Sequence, residues 1–171
     1  VLAEGGVEPT ADALRRAGIE PLVLEAKEGL ALVNGTEGML AFGLLADHDL
    51  ATLLATVDVT AAMSIEAALG TDRPFAADLM ALRPHPGQSA SAANLRALLA
   101  GSSITASHLH SDHEVQDPYS MRCAPQVHGA ARDAAGFARA VFGRELVSVT
   151  DNPVVLDDGR VPSDGGGVET P

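Results

Sequence analysis

The chain has 171 residues, 46% hydrophobic and 20% charged, which excludes a disordered tail, a collagen-like repeat and a disulfide-stapled peptide. Only 3% of residues are aromatic and Trp is missing, so Ala, Leu and Val carry the apolar fraction, which favours close-packed helices over a β-sandwich. The net charge of -12, from 23 acidic against 11 basic residues, argues against nucleic acid and against an anionic membrane surface as partners.

In length the chain matches one ordinary domain. Cys123 is the single cysteine. No internal disulfide can form, and a reducing compartment, the cytoplasm, is the expectation. The charge-free apolar stretches fall far short of the ~20 residues that a bilayer crossing needs. The opening Val1-Leu2-Ala3-Glu4-Gly5-Gly6 carries neither an initiating Met nor a basic leader, and reads like the inside of a longer protein.

Residues 10–18 predict a short helix, with Thr10 as candidate N-cap, Ala13, Leu14 and Ala17 at helical spacing, and Gly18 as the stop. Pro21 marks an extended link. Residues 25–33 end in an apolar run, and Asn34-Gly35-Thr36 interrupts it with residues that suit a turn or a helix N-terminus. Between residues 36 and 69 there is no Pro, which predicts a helix about 50 Å long at ~1.5 Å per residue. Its Met39, Leu40, Phe42, Leu44, Leu45, Leu50, Leu53, Leu54, Val57, Val59, Met63 and Ile65 cannot share one stripe. Such a helix needs neighbours all round, so a bundle completed by further segments or by other subunits is expected.

Residues 74–82 predict a short helix, Pro84-His85-Pro86-Gly87 a break, and residues 88–100 another helix ended by Gly101. Residues 102–118 read as irregular. A second long helix is expected over residues 119–147, bent or restarted by Pro125. Asp151-Asn152-Pro153 is a turn. Val154-Val155-Leu156 and Arg160-Val161, either side of Asp157-Asp158-Gly159, fit a small β-hairpin near the C-terminus, and residues 162–171 are an irregular tail. The fold class is therefore all-α, a long-helix bundle with that one hairpin.

Two segments have chemistry to offer. Asn34-Gly35-Thr36 is either a plain helix cap or a place where free backbone N–H groups and the helix dipole receive an anion. Gln116-Asp117-Pro118-Tyr119-Ser120-Met121-Arg122 gathers an amide, a carboxylate, a phenol and a guanidinium on a loop entering a helix. Tyr119 can move a proton and Arg122 can grip a carboxylate through two parallel hydrogen bonds. The plainer alternative has Asp117 capping the helix and Arg122 in a salt bridge. His108, His110 and His113 do not fall on one helical face, so no metal site is read from them. Cys123 reads as a small packed hydrophobe, and Gly165-Gly166-Gly167 lacks the Lys and Ser or Thr of a phosphate-binding loop.

Three segments together resemble one family. Glu25-Ala26-Lys27-Glu28-Gly29-Leu30-Ala31-Leu32-Val33-Asn34-Gly35-Thr36, Val115-Gln116-Asp117-Pro118-Tyr119-Ser120-Met121-Arg122-Cys123-Ala124-Pro125-Gln126-Val127 and Thr150-Asp151-Asn152-Pro153 are similar, in order and distance, to motifs of the aromatic amino acid ammonia-lyases. The Gln-Asp-Pro-Tyr-Ser form is more similar to the histidine ammonia-lyases within that family than to its phenylalanine or tyrosine enzymes. The resemblance runs from about residue 2 to residue 161.

The resemblance implies the helical scaffold of the aromatic ammonia-lyase and fumarase-aspartase-like superfamily, built as homotetramers whose sites combine residues of several subunits. It implies a methylidene-imidazolone (MIO) electrophile made from an internal Ala-Ser-Gly, and non-oxidative deamination of L-histidine to urocanate and ammonia. By motif position, Asn34 and Arg122 would hold the amino acid substrate, with Arg122 on its carboxylate. Tyr119 would serve in proton transfer or orientation, and Gln116 would hydrogen-bond near the MIO.

The departures are as specific. No Ala-Ser-Gly occurs, so MIO cannot form from these residues, and residues 163–171 do not match the family's Phe-contributing segment. The chain is thus expected to be a single partial domain, the central part of a larger lyase, inactive alone. Alternatives are a phenylalanine or tyrosine ammonia-lyase, a related aminomutase, or a non-catalytic helical assembly protein.

Overall fold

Helix ends follow from local chemistry in the computed structural model, which describes residues 1–3, 5–33, 35–110, 116–150, 153–154 and 156–161. Helix α1 spans Thr10–Ala17 and stops at Gly18, whose φ of 67° is the left-handed turn a glycine adopts without a Cβ penalty. The cap lies one residue earlier than predicted: Pro9 precedes the helix, Thr10 is its first residue, and no side chain caps it. Ahead of it, β1 (Leu2–Ala3) pairs antiparallel with β2 (Gly6–Val7), Leu2 opposite Val7. Helix α2 covers Glu28–Val33. These elements belong to a first unit, Val1–Thr36 with Thr150–Pro171.

Within that unit the ammonium of Lys27 donates to the Pro153 carbonyl. The turn predicted at residues 157–159 is present, with the Leu156 N–H donating to the Arg160 carbonyl at 2.9 Å. No strand flanks it among the described residues, so the one antiparallel pair there lies at the opposite end of the sequence from the predicted hairpin. Asp151, Asn152, Val155 and residues 162–171 lie outside the described residues.

The second unit, Glu37–Val149, is helical. Helix α3 (Glu37–Ala67, 31 residues) buries only Leu54, Asp58, Ala62 and Ile65, one stripe at helical spacing. Met39, Phe42, Leu45, Leu53, Val59 and Met63 stay exposed, so this chain alone does not cover the all-round apolar surface read from the sequence. By length and composition α3 is also long and apolar enough to cross a membrane, which the short charge-free stretches do not suggest. The ion-paired Asp58 buried in it suits a helix packed among helices.

The predicted helix 74–82 divides into a 3-10 turn (Arg73–Phe75) and α4 (Ala77–Ala81), because Ala76 is extended. Helix α5 (Pro86–Leu99) starts on a proline already set for the first turn, and the Asp133 carboxylate accepts the Gly87 N–H at 2.8 Å. Residues 102–118, predicted irregular, contain α6 (Ser103–Ser107), started by Ser102, whose hydroxyl accepts the Thr105 N–H at 3.1 Å. The second long helix is restarted rather than bent: α7 (Tyr119–Arg122) ends at Cys123, and α8 (Ala124–Glu145) begins with Pro125 in its first turn.

Ala62, Ile65, Phe75, Met80, Ala92, Leu95, Leu99 and Ala124 form the core between α3, α5 and the start of α8. The α5 and α8 backbones touch where Gly87 meets Gly129. A Cβ on either residue would overlap the backbone of the other helix.

Candidate functional site

The loop ahead of α7 is held at its aspartate. The Asp117 carboxylate accepts the Thr71 N–H at 2.7 Å, just past the end of α3. Pro118 then sets the entry to α7 at a φ of -57°. Asp117 therefore caps backbone in another segment and not α7, whose cap residue is Pro118 with no side-chain bond.

Arg122 returns to this loop. Its Nε donates to the Asp117 carbonyl at 2.6 Å, and its guanidinium carbon lies 4.5 Å from the centre of the Tyr119 ring, a cation–π contact. The two terminal nitrogens of Arg122 have no partner among the described residues, and no salt bridge to Arg122 is made there. That leaves a planar two-pronged donor whose orientation is fixed from behind, the geometry that suits a carboxylate. Tyr119 is 73% exposed, and its hydroxyl and the side chain of exposed Gln116 lack partners among the described residues.

The structure thus brings Gln116, Tyr119 and Arg122 onto one loop and helix. Asn34 lies outside the described residues, and Gly35 and Thr36 beside it are exposed. His108 turns its Nε2 to the Gly70 carbonyl at 3.1 Å, while His113 lies outside the described residues. Among the described residues no group of three metal-ligating side chains comes together, and Cys123 is half-buried.

Sequence reading missed a second polar cluster, centred on Asp58. Its side chain is 1% exposed, and its carboxylate accepts from Asn94 Nδ2 at 2.7 Å, Arg132 at 2.5 Å and His128 Nδ1 at 2.9 Å. Arg132 also donates to the Ser91 hydroxyl at 2.8 Å and the Leu54 carbonyl at 2.6 Å. Burial works to raise the Asp58 carboxyl, but the hydrogen bonds from Asn94, His128 and Arg132, and the charge of Arg132, hold it below the ordinary value. Its partners lie 36, 70 and 74 residues away in sequence, so no local motif announces it. The only signal was a lone carboxylate on the apolar stripe of α3.

A helical scaffold presenting an open guanidinium fork beside a phenol defines a class of proteins able to hold a small organic acid. The aromatic amino acid lyase family profile matches residues 1–169, and the chain belongs to that family. It is 56% identical over 162 residues to the histidine ammonia-lyase of Streptomyces avermitilis, covering 95% of this chain and 32% of that one. Among solved structures, the phenylalanine aminomutase of Pantoea agglomerans superposes with a TM-score of 0.80 at 33% identity, covering 91% of this chain and 33% of that one. The histidine ammonia-lyase of Trypanosoma cruzi gives 0.72 at 40% identity, covering 87% and 26%. The chain spans about a third of the length of the curated relatives it matches.

Proposed function

We propose that residues 1–171 are one partial domain, the central helical part of a cytoplasmic histidine ammonia-lyase that deaminates L-histidine to urocanate and ammonia. The observation that carries this reading is the gradient of identity: 56% and 40% to two histidine ammonia-lyases against 33% to a phenylalanine aminomutase. The second reading, an aminomutase, draws on the 0.80 superposition with that enzyme.

In this reading the fork of Arg122 grips the substrate carboxylate by two parallel hydrogen bonds, and the guanidinium itself is steadied by the Tyr119 ring and the Asp117 carbonyl. The exposed Tyr119 hydroxyl would move or orient the proton, Gln116 would hydrogen-bond near the MIO of the full-length enzyme, and Asn34 would hold the amino acid group. The family's MIO is made from Ala-Ser-Gly, which this sequence lacks. The exposure of Gln116 and Tyr119 encloses no electrophile either. These residues therefore do not build the MIO site by themselves.

The isolated chain is accordingly inactive. The exposed apolar residues of α3 support assembly into a homotetramer, and the net charge of -12 argues against a nucleic acid or anionic membrane partner. The test is a product assay on the full-length protein that carries these residues, with L-histidine, L-phenylalanine and L-tyrosine in parallel. Urocanate from L-histidine alone is expected. Cinnamate, a β-amino acid product or no turnover on any of the three would overturn the reading.

A further inference from the structure

The fork of Arg122 can recognise a carboxylate only if it is aimed: the Tyr119 ring lies against one face of the guanidinium, and the one hydrogen bond that aims it leads back to Asp117. Its Nε is spent on the Asp117 carbonyl at 2.6 Å, so the guanidinium sits where the Asp117 backbone sits. That backbone is tied down by the residue's own side chain, which accepts the Thr71 N–H at 2.7 Å. Pro118 follows directly, which confines Asp117 to extended backbone and makes the link to Tyr119 stiff.

The receiving end is also unusual. Helix α3 closes with the Gly70 N–H bonded to the Ile65 carbonyl at 2.7 Å and the Leu69 N–H to the Glu66 carbonyl at 3.1 Å. The left-handed residue in this closure is Leu69, at a φ of 54°, where glycine is the unstrained choice. Beyond it, His108 Nε2 holds the Gly70 carbonyl at 3.1 Å, leaving the next N–H, that of Thr71, to Asp117. Backbone strain is thus retained where α3 presents the donor that fixes the loop.

We propose that Asp117 is a positioning residue for substrate recognition: it latches the loop to the end of α3 with its carboxylate and aims Arg122 with its carbonyl. This rests on the reading of Arg122 as the carboxylate-binding group. Asp117 itself does not touch substrate.

The test is steady-state kinetics and inhibitor binding in the full-length protein. Asp117→Ala is expected to raise KM for L-histidine about tenfold or more, with kcat changed by less than about threefold, since the fork is misaimed and not removed. Asp117→Asn, whose amide oxygen still accepts the Thr71 N–H, is expected to stay within about threefold of the parent in KM. Competition by urocanate, which has a carboxylate, weakens with KM in Asp117→Ala, whereas competition by histamine, which has none, does not. In an Arg122→Ala background, Asp117→Ala adds no further loss.

An unchanged KM, equal losses for urocanate and histamine, or additive effects of the two substitutions would overturn the proposal. If Asp117→Ala does not fold, Asp117→Glu keeps the acceptor and charge but displaces the loop by one methylene, and the same split in KM is expected. Failure of the underlying reading shows separately, as Arg122→Ala that leaves urocanate binding intact.

Discussion

The Asp58 cluster and the Tyr119–Arg122 pair both build on a guanidinium held by hydrogen bonds, the first across distant segments and the second within one motif, yet they end in opposite states. Around Asp58 the acceptors and donors meet inside the protein: one carboxylate takes three hydrogen bonds, and Arg132 bonds to Asp58, Ser91 and Leu54. At Arg122 only the inner nitrogen is used, and the outer two have no partner among the described residues. The first arrangement fixes helices α3, α5 and α8 against one another, and the second keeps recognition capacity in reserve. Polar groups that are buried and fully paired stabilise a fold; groups held firmly on one side and open on the other are available to a ligand.

The comparison breaks if substitutions in the two regions have the same consequence. The largest effect is expected from Asp58→Ala, which strands Arg132 and His128 around a lost charge and should cost about 3–5 kcal/mol in chemical denaturation. The same carboxylate sets an acid limit. Its folded pKa is depressed, so its contribution is present above the unfolded carboxylate value near ~4 and is lost as pH falls through the lower folded value. Acid titration should therefore destabilise the parent more than Asp58→Asn.

Next is Tyr119→Phe in the full-length protein, expected to lower turnover of L-histidine by about a hundredfold or more while the urea midpoint stays put. Gly129→Ala should cost about 1–3 kcal/mol or more, because its Cβ meets the α5 backbone at Gly87 and Gln88 rather than a movable side chain. The smallest effect belongs to Arg139→Ala. That residue makes a two-pronged pair with Asp47 at 2.8 and 3.0 Å, but in the open, and the midpoint should barely move.

What could be read in the sequence divides along similar lines. Gly18, Gly101 and the Pro84 to Gly87 cluster mark helix ends by backbone chemistry, and the structure has breaks there. Helix α6 was not predicted because its single turn has no apolar period, and the structure shows it started by the Ser102 hydroxyl on the Thr105 N–H. Of the C-terminal hairpin the turn is present, with the Leu156 N–H on the Arg160 carbonyl, while Val155 in its first strand lies outside the described residues. Gln116, Tyr119 and Arg122 were legible because they stand within one motif. The roles of Asp58 and Asp117 were not, since their partners Arg132 and Thr71 lie 74 and 46 residues away and only packing joins them.

The measurement that bears most directly on the account is Arg122→Lys in the full-length protein, with L-histidine kinetics and urea denaturation on the same preparation. A lysine keeps the charge but loses the planar fork. The account predicts a fall in kcat/KM of about a hundredfold or more with an unchanged denaturation midpoint. Near-normal kinetics, or a loss of activity that merely follows a loss of stability, would contradict it.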